Sequence, residues 1–194
     1  MNDETARAKW NESYRDRQAG DQQPALVLRE NAHLLPMTGT ALDLASGLGN
    51  NAIFLASHGL HTEAWDISDL AAQKINEYAR SAKLPLNASA RDVVATPPAP
   101  ASFDVICVAH YLERTLASTL TAALRPGGLL FFQTFTQEVT PDYSGPKNPA
   151  FRLDPNELLR LFAELRVIHY REDGLTGNLA QGVRNIAMLV AKKL

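Results

Sequence analysis

Apolar residues in this chain follow two rhythms: compact blocks bounded by turn residues, and stretches where they recur every three or four positions. The first pattern predicts strands and the second amphipathic helices. Residues 4–17 carry Trp10 and Tyr14 four apart, on one side of a short helix. "PALVLRENAHLLP" at 24–36 has helical spacing between two prolines and predicts a second helix. "TALDLA" at 40–45 predicts the first strand, followed by a helix from Asn50 to His58 that ends near Gly59. "LHTEAWD" at 60–66 is the second strand, and Ser68 is placed to cap a helix to about Lys83. "LNASARD" at 86–92 predicts a third strand and proline-rich "VATPPAPAS" a surface loop. "FDVICVAHY" at 103–111 is nearly continuous in apolar residues, as a strand covered on both faces should be. A helix, "ERTLASTLTAAL", then leads through the turn "RPGG" into a fifth strand, "LLFFQTFT".

Residues 137–152 break the rhythm with three prolines and a glycine. "DPNELLRLFAEL" at 154–165 predicts a helix with an aspartate cap and Pro155 at its first position. The last two strands, "RVIHYRED" and "RNIAMLVAKK", are joined by "GLTGNLAQGV" without a helix, so they pair antiparallel most easily. Strands alternating with helices predict an α/β, Rossmann-like, doubly wound seven-stranded sheet, mostly parallel with an antiparallel C-terminal strand and helices on both faces. The expected organisation is a single domain over 1–194, with an N-terminal helical extension at 1–36 and a substrate-side insert at 137–152.

Composition narrows the classes of function. A net charge of -2 offers no electrostatic footprint for nucleic acid. No run is long enough to span a bilayer, and the opening residues hold no apolar core of signal-peptide length, so no membrane association is expected and the cytoplasm is the expected location. The one cysteine, Cys107, lies inside the fourth strand, where packing is the ordinary role.

The stretch "LDLASGLGNNA" at 42–52 carries the chemistry. It turns a strand into a helix through two glycines, at the strand edge where doubly wound sheets bind ligands. Glycine there removes the Cβ that would hold a ligand off the backbone. Asp66, at the end of the second strand, can accept hydrogen bonds from a ribose diol, and Asp92 falls where an adenine amine could donate. The same glycines fit G-x-G-x-x-A, with Asp66 near the spacing of an NAD fingerprint. Asp43 before the turn, the short chain and the C-terminal hairpin weigh against a dehydrogenase: an acid there would repel a pyrophosphate and welcome a cationic amino group.

The pattern resembles the class I S-adenosylmethionine (SAM)-dependent methyltransferases over roughly residues 40–136. Asp43, Gly47 and Gly49 match their first motif, with Ala45 where the first glycine usually stands. Asp66 matches the ribose-binding acid of the second motif, and Asp92-Val93 resembles the adenine-contact motif. The resemblance implies SAM as cofactor, held by Ser46 and Asn50 at the turn, by Ile67 beside Asp66, and by Ala109 at the end of the fourth strand. Trp10 and Tyr14 are candidates for a lid over it, or for simple helix packing. More narrowly, "WNESY", "LRENAHLLP", "GPKNPAFRLDPNELLRLF" and "VIHYRED" resemble the tellurite-resistance (TehB-like) methyltransferases, which implies a small-molecule acceptor such as a tellurium or selenium oxyanion, or a thiol.

Methyl transfer from a sulfonium is an in-line displacement, so the protein mainly aligns and desolvates the nucleophile. A general base is needed only if the acceptor arrives protonated. His110, at the end of the fourth strand that the resemblance turns toward the methyl group, either orients an acceptor, takes its proton or attracts an oxyanion, or else is satisfied by a backbone carbonyl; both readings stay open. Tyr111 is a rim candidate, and Arg152 leads the cations suited to an oxyanion, with Lys147, Arg114 and Arg184 behind it. Histidine and cysteine spacings fit no metal site, and neither a G-x-S-x-G elbow nor a phosphate loop occurs. Two other classes remain: an NAD-binding oxidoreductase, and a SAM-binding module without turnover.

Overall fold

The computed structural model describes residues 3–194; Met1 and Asn2, the start of the expected extension, lie outside them. Among the described residues seven strands form one sheet in the order β3-β2-β1-β4-β5-β7-β6. They are β1 (Thr40–Leu44), β2 (His61–Asp66), β3 (Leu86–Ala90), β4 (Phe103–Ala109), β5 (Leu124–Phe135), β6 (Arg166–Glu172) and β7 (Ile186–Lys192). β1 pairs in parallel with both β2 and β4, so the winding reverses between β1 and β4. β7 runs antiparallel to both β5 and β6, which makes it the one reversed strand of the sheet.

The helices are α1 (Asp3–Tyr14), α2 (Leu26–Glu30), α3 (Asn50–Ser57), α4 (Asp69–Ala82), α5 (Ala117–Ala123) and α6 (Glu157–Leu161). The alternation of β4 shows why its sequence is apolar throughout. Ile106 and Val108 face one core with Leu120 and Leu158, whereas Val105 and Cys107 face the other with Val27, Leu28 and Leu55. Both faces are covered, and the buried Cys107 thiol has its pKa raised by that burial and by Asp43. No helix among the described residues is long and apolar enough to cross a membrane.

Three of the elements that differ from the expectation have a local cause. The helix expected over 24–36 splits into α2 and a 3-10 turn at Ala32–Leu34. Asn31 is the cause: its side chain donates to the Val27 carbonyl (3.0 Å), diverting an acceptor within the segment. The helix expected from Asp154 begins only at Glu157, because the Glu157 carboxylate, not an aspartate cap, takes the Asp154 N–H (2.8 Å) and Asn156 sits at φ 59. The "RPGG" turn is absorbed into an irregular start of β5, where the register against β4 shifts between Phe103 and Val105.

Ser68 joins two helices. Its hydroxyl accepts from the Ala71 N–H (3.0 Å) as the cap of α4 and donates to Asn11 of α1 (2.6 Å), and the residue is fully buried. Ser68→Ala is expected to lower stability by about 1–2 kcal/mol, read from urea unfolding, since it removes both a cap and an interhelical bond.

Candidate functional site

The chain leaves β1 at the point where the winding reverses and must turn sharply to enter α3. Ala45, Gly47 and Gly49 all take positive φ (56, 53 and 75). At Ala45 this left-handed conformation costs about 1–2 kcal/mol that glycine would not incur, which is the local consequence of alanine standing where the resemblance expects glycine. At Gly49 a Cβ would come within 2.8 Å of the Ile75 side chain, and at Gly47 within 3.1 Å of the Tyr14 hydroxyl. Both glycines therefore mark close approach as well as turn geometry.

Two carboxylates hold this turn. Asp66 accepts from the Gly47 N–H (2.8 Å) and the Ser68 N–H (2.9 Å), one on each oxygen. Asp43, fully buried, accepts from the Ala52 N–H (3.0 Å) and more weakly from Asn51 (3.4 Å), fixing the first turn of α3 from behind. Burial raises the pKa of Asp66 and pushes that of Asp43 up to about 7.

In front of the turn lies a cavity of about 520 Å³ at the carboxyl ends of β1, β2 and β4. Of the residues singled out in the sequence, Ala45, Ser46, Gly47 and Asn50 form its floor, and Asp66 and Ile67 one wall. Asp92 and Val93 border it further along, and Ala109, His110 and Tyr111 close the far side. Trp10 and Tyr14 also line it, with rings stacked at 5.5 Å between centroids.

Asp43, Gly49 and Arg152 do not border the cavity. Asp43 points behind the turn, so the expected direct charge effect on a ligand, including its use against a pyrophosphate, is replaced by a role in holding α3. Gly49 is filled behind by Ile75. Arg152 is held away by the 3-10 turn at Pro149–Phe151, and its backbone carbonyl accepts from Arg114 (3.0 Å). Arg114 is itself committed to Glu157 and to the Ala150 carbonyl, while Arg184 is spent on four backbone carbonyls around Asp173–Gln181. Lys147 is exposed outside the cavity wall. None of residues 137–152 borders the cavity; Tyr143 of that insert stands edge-on to Phe135 (5.9 Å), which packs on His110 (5.1 Å).

Several lining residues escaped the sequence reading, among them Arg17, Gln22, Ala25, Asn51 and Arg91. The twin asparagines after the second glycine were the legible signal. Asn50 accepts from the Gln22 N–H (3.2 Å) and Asn51 from the Ala25 N–H (2.8 Å), drawing the segment before α2 over the cavity. Arg91 stacks on Trp65, 3.7 Å from its ring centroid, and gave no periodic signal.

The chemistry of the wall is specific. The Ser46 hydroxyl is buried with no hydrogen-bond partner, an orphan polar atom that a ligand can satisfy. Asp66 accepts from Gly47 on one oxygen and Ser68 on the other, with the Ile67 N–H also beside the carboxylate, and keeps further lone-pair capacity. Tyr111 has its hydroxyl pushed up to about 12 by burial and by Glu113, Asp92 and Asp66, so it stays protonated. His110, exposed in the cavity wall and at φ 57, has its pKa lowered by the protein packed around it. Among the described residues, no group of three or more histidine, cysteine or acidic side chains converges to hold a metal.

Residues 41–128 match a family model described as a methyltransferase domain. TehB from Haemophilus influenzae shares the fold with a TM-score of 0.69 at 20% identity, covering 97% of this chain and 67% of its own. A SAM-dependent methyltransferase from Methanosarcina mazei superposes at 0.67 with 17% identity, over 89% of this chain and 99% of that one. Geranyl diphosphate C-methyltransferase from Streptomyces coelicolor, solved with Mg2+, geranyl diphosphate and S-adenosyl-L-homocysteine, superposes at 0.68 with 17% identity over 99% and 98%. No curated protein sequence matches the chain significantly.

Proposed function

We propose that this chain, whose residues 41–128 match a methyltransferase-domain model, is a class I SAM-dependent methyltransferase that moves the methyl group of SAM onto a small-molecule acceptor. The observation that carries the reading is the Asp66 carboxylate. It is buried at the switch point with lone-pair capacity left over, beside a turn whose backbone is brought close by glycine and whose Ser46 hydroxyl lacks a partner. In this reading the turn at Ser46 and Gly47 takes the amino-acid end of SAM and Asp66 takes the ribose diol. Ile67, Asp92 and Val93 border the adenine, and Trp10 and Tyr14 cover the cofactor. When bound, SAM supplies an electrophilic methyl on a sulfonium, attacked by an acceptor lone pair while the broken bond's electron pair returns to sulfur, giving S-adenosylhomocysteine. The chain's own part is to align and desolvate the acceptor at Ala109, His110 and Tyr111. The acceptor we assign is a tellurium or selenium oxyanion or a thiol, a class supported by the sequence resemblance to the tellurite-resistance methyltransferases.

Titration calorimetry with S-adenosylhomocysteine, with NAD(H) as the control, tests the cofactor assignment. Micromolar binding of the former alone is expected; binding of NAD(H) alone would overturn it. Incubation with SAM and a panel of selenite, tellurite and small thiols should then release S-adenosylhomocysteine with at least one of them. Binding without release across the panel would favour a SAM-binding module without turnover.

A further inference from the structure

The hydrogen-bond chain behind His110 decides which of its nitrogens carries the proton. Val27 lies in the first turn of α2, where its N–H has no carbonyl partner within the helix. It donates instead to the side chain of Gln133 on β5, 3.0 Å away. A backbone N–H can only donate, so the atom facing it is the amide oxygen Oε1. The other end of that amide, the NH2 group, then faces His110 Nε2 at 3.1 Å. An NH2 donates and does not accept, so Nε2 must be the bare nitrogen. Gln133 is buried and cannot reorient without leaving the Val27 N–H unpaired. Charging the ring would set two donors against each other across the same gap. Nδ1, which makes no hydrogen bond with the described residues, therefore carries the ring proton, on a side chain exposed in the cavity wall.

We propose that Gln133 is a positioning residue that locks His110 as its Nδ1–H tautomer, so that His110 meets the methyl acceptor as a hydrogen-bond donor and selects an already deprotonated oxygen or sulfur nucleophile. This rests on the methyl-transfer reading of the cavity. It removes one role left open by the sequence, since a ring whose bare nitrogen is occupied by Gln133 cannot take the acceptor's proton at Nδ1. It also limits the substrate class. An amine nitrogen has one lone pair, which attack on the methyl group consumes, leaving nothing for the His110 N–H. Oxyanions and thiolates keep lone pairs to spare, and no proton has to leave them.

The test is made on the full chain with 15N-labelled histidine, using long-range proton–nitrogen correlation spectra. His110→Gln identifies the His110 signals among those of the five histidines. The expected pattern is a protonated Nδ1 and a bare Nε2. In Gln133→Glu the carboxylate demands a donor, and the proton should appear on Nε2. In Gln133→Met, which keeps the packing volume, the lock is gone and the two tautomers should mix. A wild-type ring protonated at Nε2, or variants that leave the wild-type pattern unchanged, would overturn the assignment. Turnover should be confined to oxyanion and thiol acceptors; methylation of a simple amine would overturn the selectivity. S-adenosylhomocysteine calorimetry separates the two levels. Binding beside an Nε2–H ring removes this assignment alone, whereas no binding beside an intact Nδ1–H pattern removes the methyl-transfer reading and His110's role in it.

Discussion

Asp66→Ala is expected to weaken S-adenosylhomocysteine binding about 100-fold, or roughly 2.7 kcal/mol, while the protein still folds. The carboxylate has about four lone-pair sites. The Gly47 and Ser68 N–H groups occupy one on each oxygen, and the unused capacity is spaced for a vicinal diol. Hydrogen bonds to a charged group contribute roughly 1.5–3 kcal/mol each, so losing the ribose contacts accounts for a drop of this size. Folding survives because Asp66 borders the cavity, where water can reach the two stranded N–H groups. Asp66→Asn sharpens the test. It keeps the shape, but one end of its amide must present NH2 to a backbone N–H, so it too should bind weakly. Calorimetry on both variants, with circular dichroism as the folding control, gives the answer. An affinity for folded Asp66→Ala within roughly threefold of wild type would end the assignment of Asp66 to the ribose.

The legible parts of this protein are those fixed by local pattern. The alternation of strand and helix, the cap at Ser68 and the glycine turn all follow from short-range chemistry, and the strand ends they imply bring most of the candidate cofactor residues to one cavity. What was not legible depends on which polar groups each side chain meets in the fold. Asp43 reads as a charge facing a ligand until Ala52 and Asn51 are seen to claim it. Arg114 and Arg184 read as free cations until Glu157 and the loop carbonyls around Asp173 are in place. The apolar run "FDVICVAHY" predicts a strand to Tyr111, yet β4 stops at Ala109 because His110 turns to φ 57, which faces it into the cavity and toward Gln133. In each case the deciding feature is a side-chain or backbone hydrogen bond, which the spacing of apolar residues does not report.

The fully buried Asp43 should make the protein more stable in mild acid than at neutral pH. Its pKa is pushed up to about 7, chiefly by burial, against the opposing hydrogen bonds from Asn51 and Ala52 and with a further push from Asp66. The folded value lies above that of the unfolded chain, so the folded state holds the extra proton between them. This contribution is fully present below about pH 4 and is lost as pH rises through about 7. At about 1.4 kcal/mol per unit, the change is on the order of 4 kcal/mol. Asp43→Asn should remove that slope. Its amide oxygen still accepts from Ala52; the contact given up is the 3.4 Å one to Asn51, whose own amide is oriented by the Ala25 N–H. Urea midpoints from about pH 5 to about pH 8 should fall for wild type and stay flatter for the variant. Burial also raises Asp66, which keeps a residual slope of the same sign in both proteins. His110, its pKa lowered by the protein packed around it, contributes the opposite slope equally to both, so the difference between the curves isolates Asp43. Parallel curves would show that Asp43 ionises freely in the fold. Since Asp43 lies behind the turn rather than in the cavity wall, the same variant should bind S-adenosylhomocysteine nearly as wild type does, separating the carboxylate that holds the turn from Asp66, which faces the ligand.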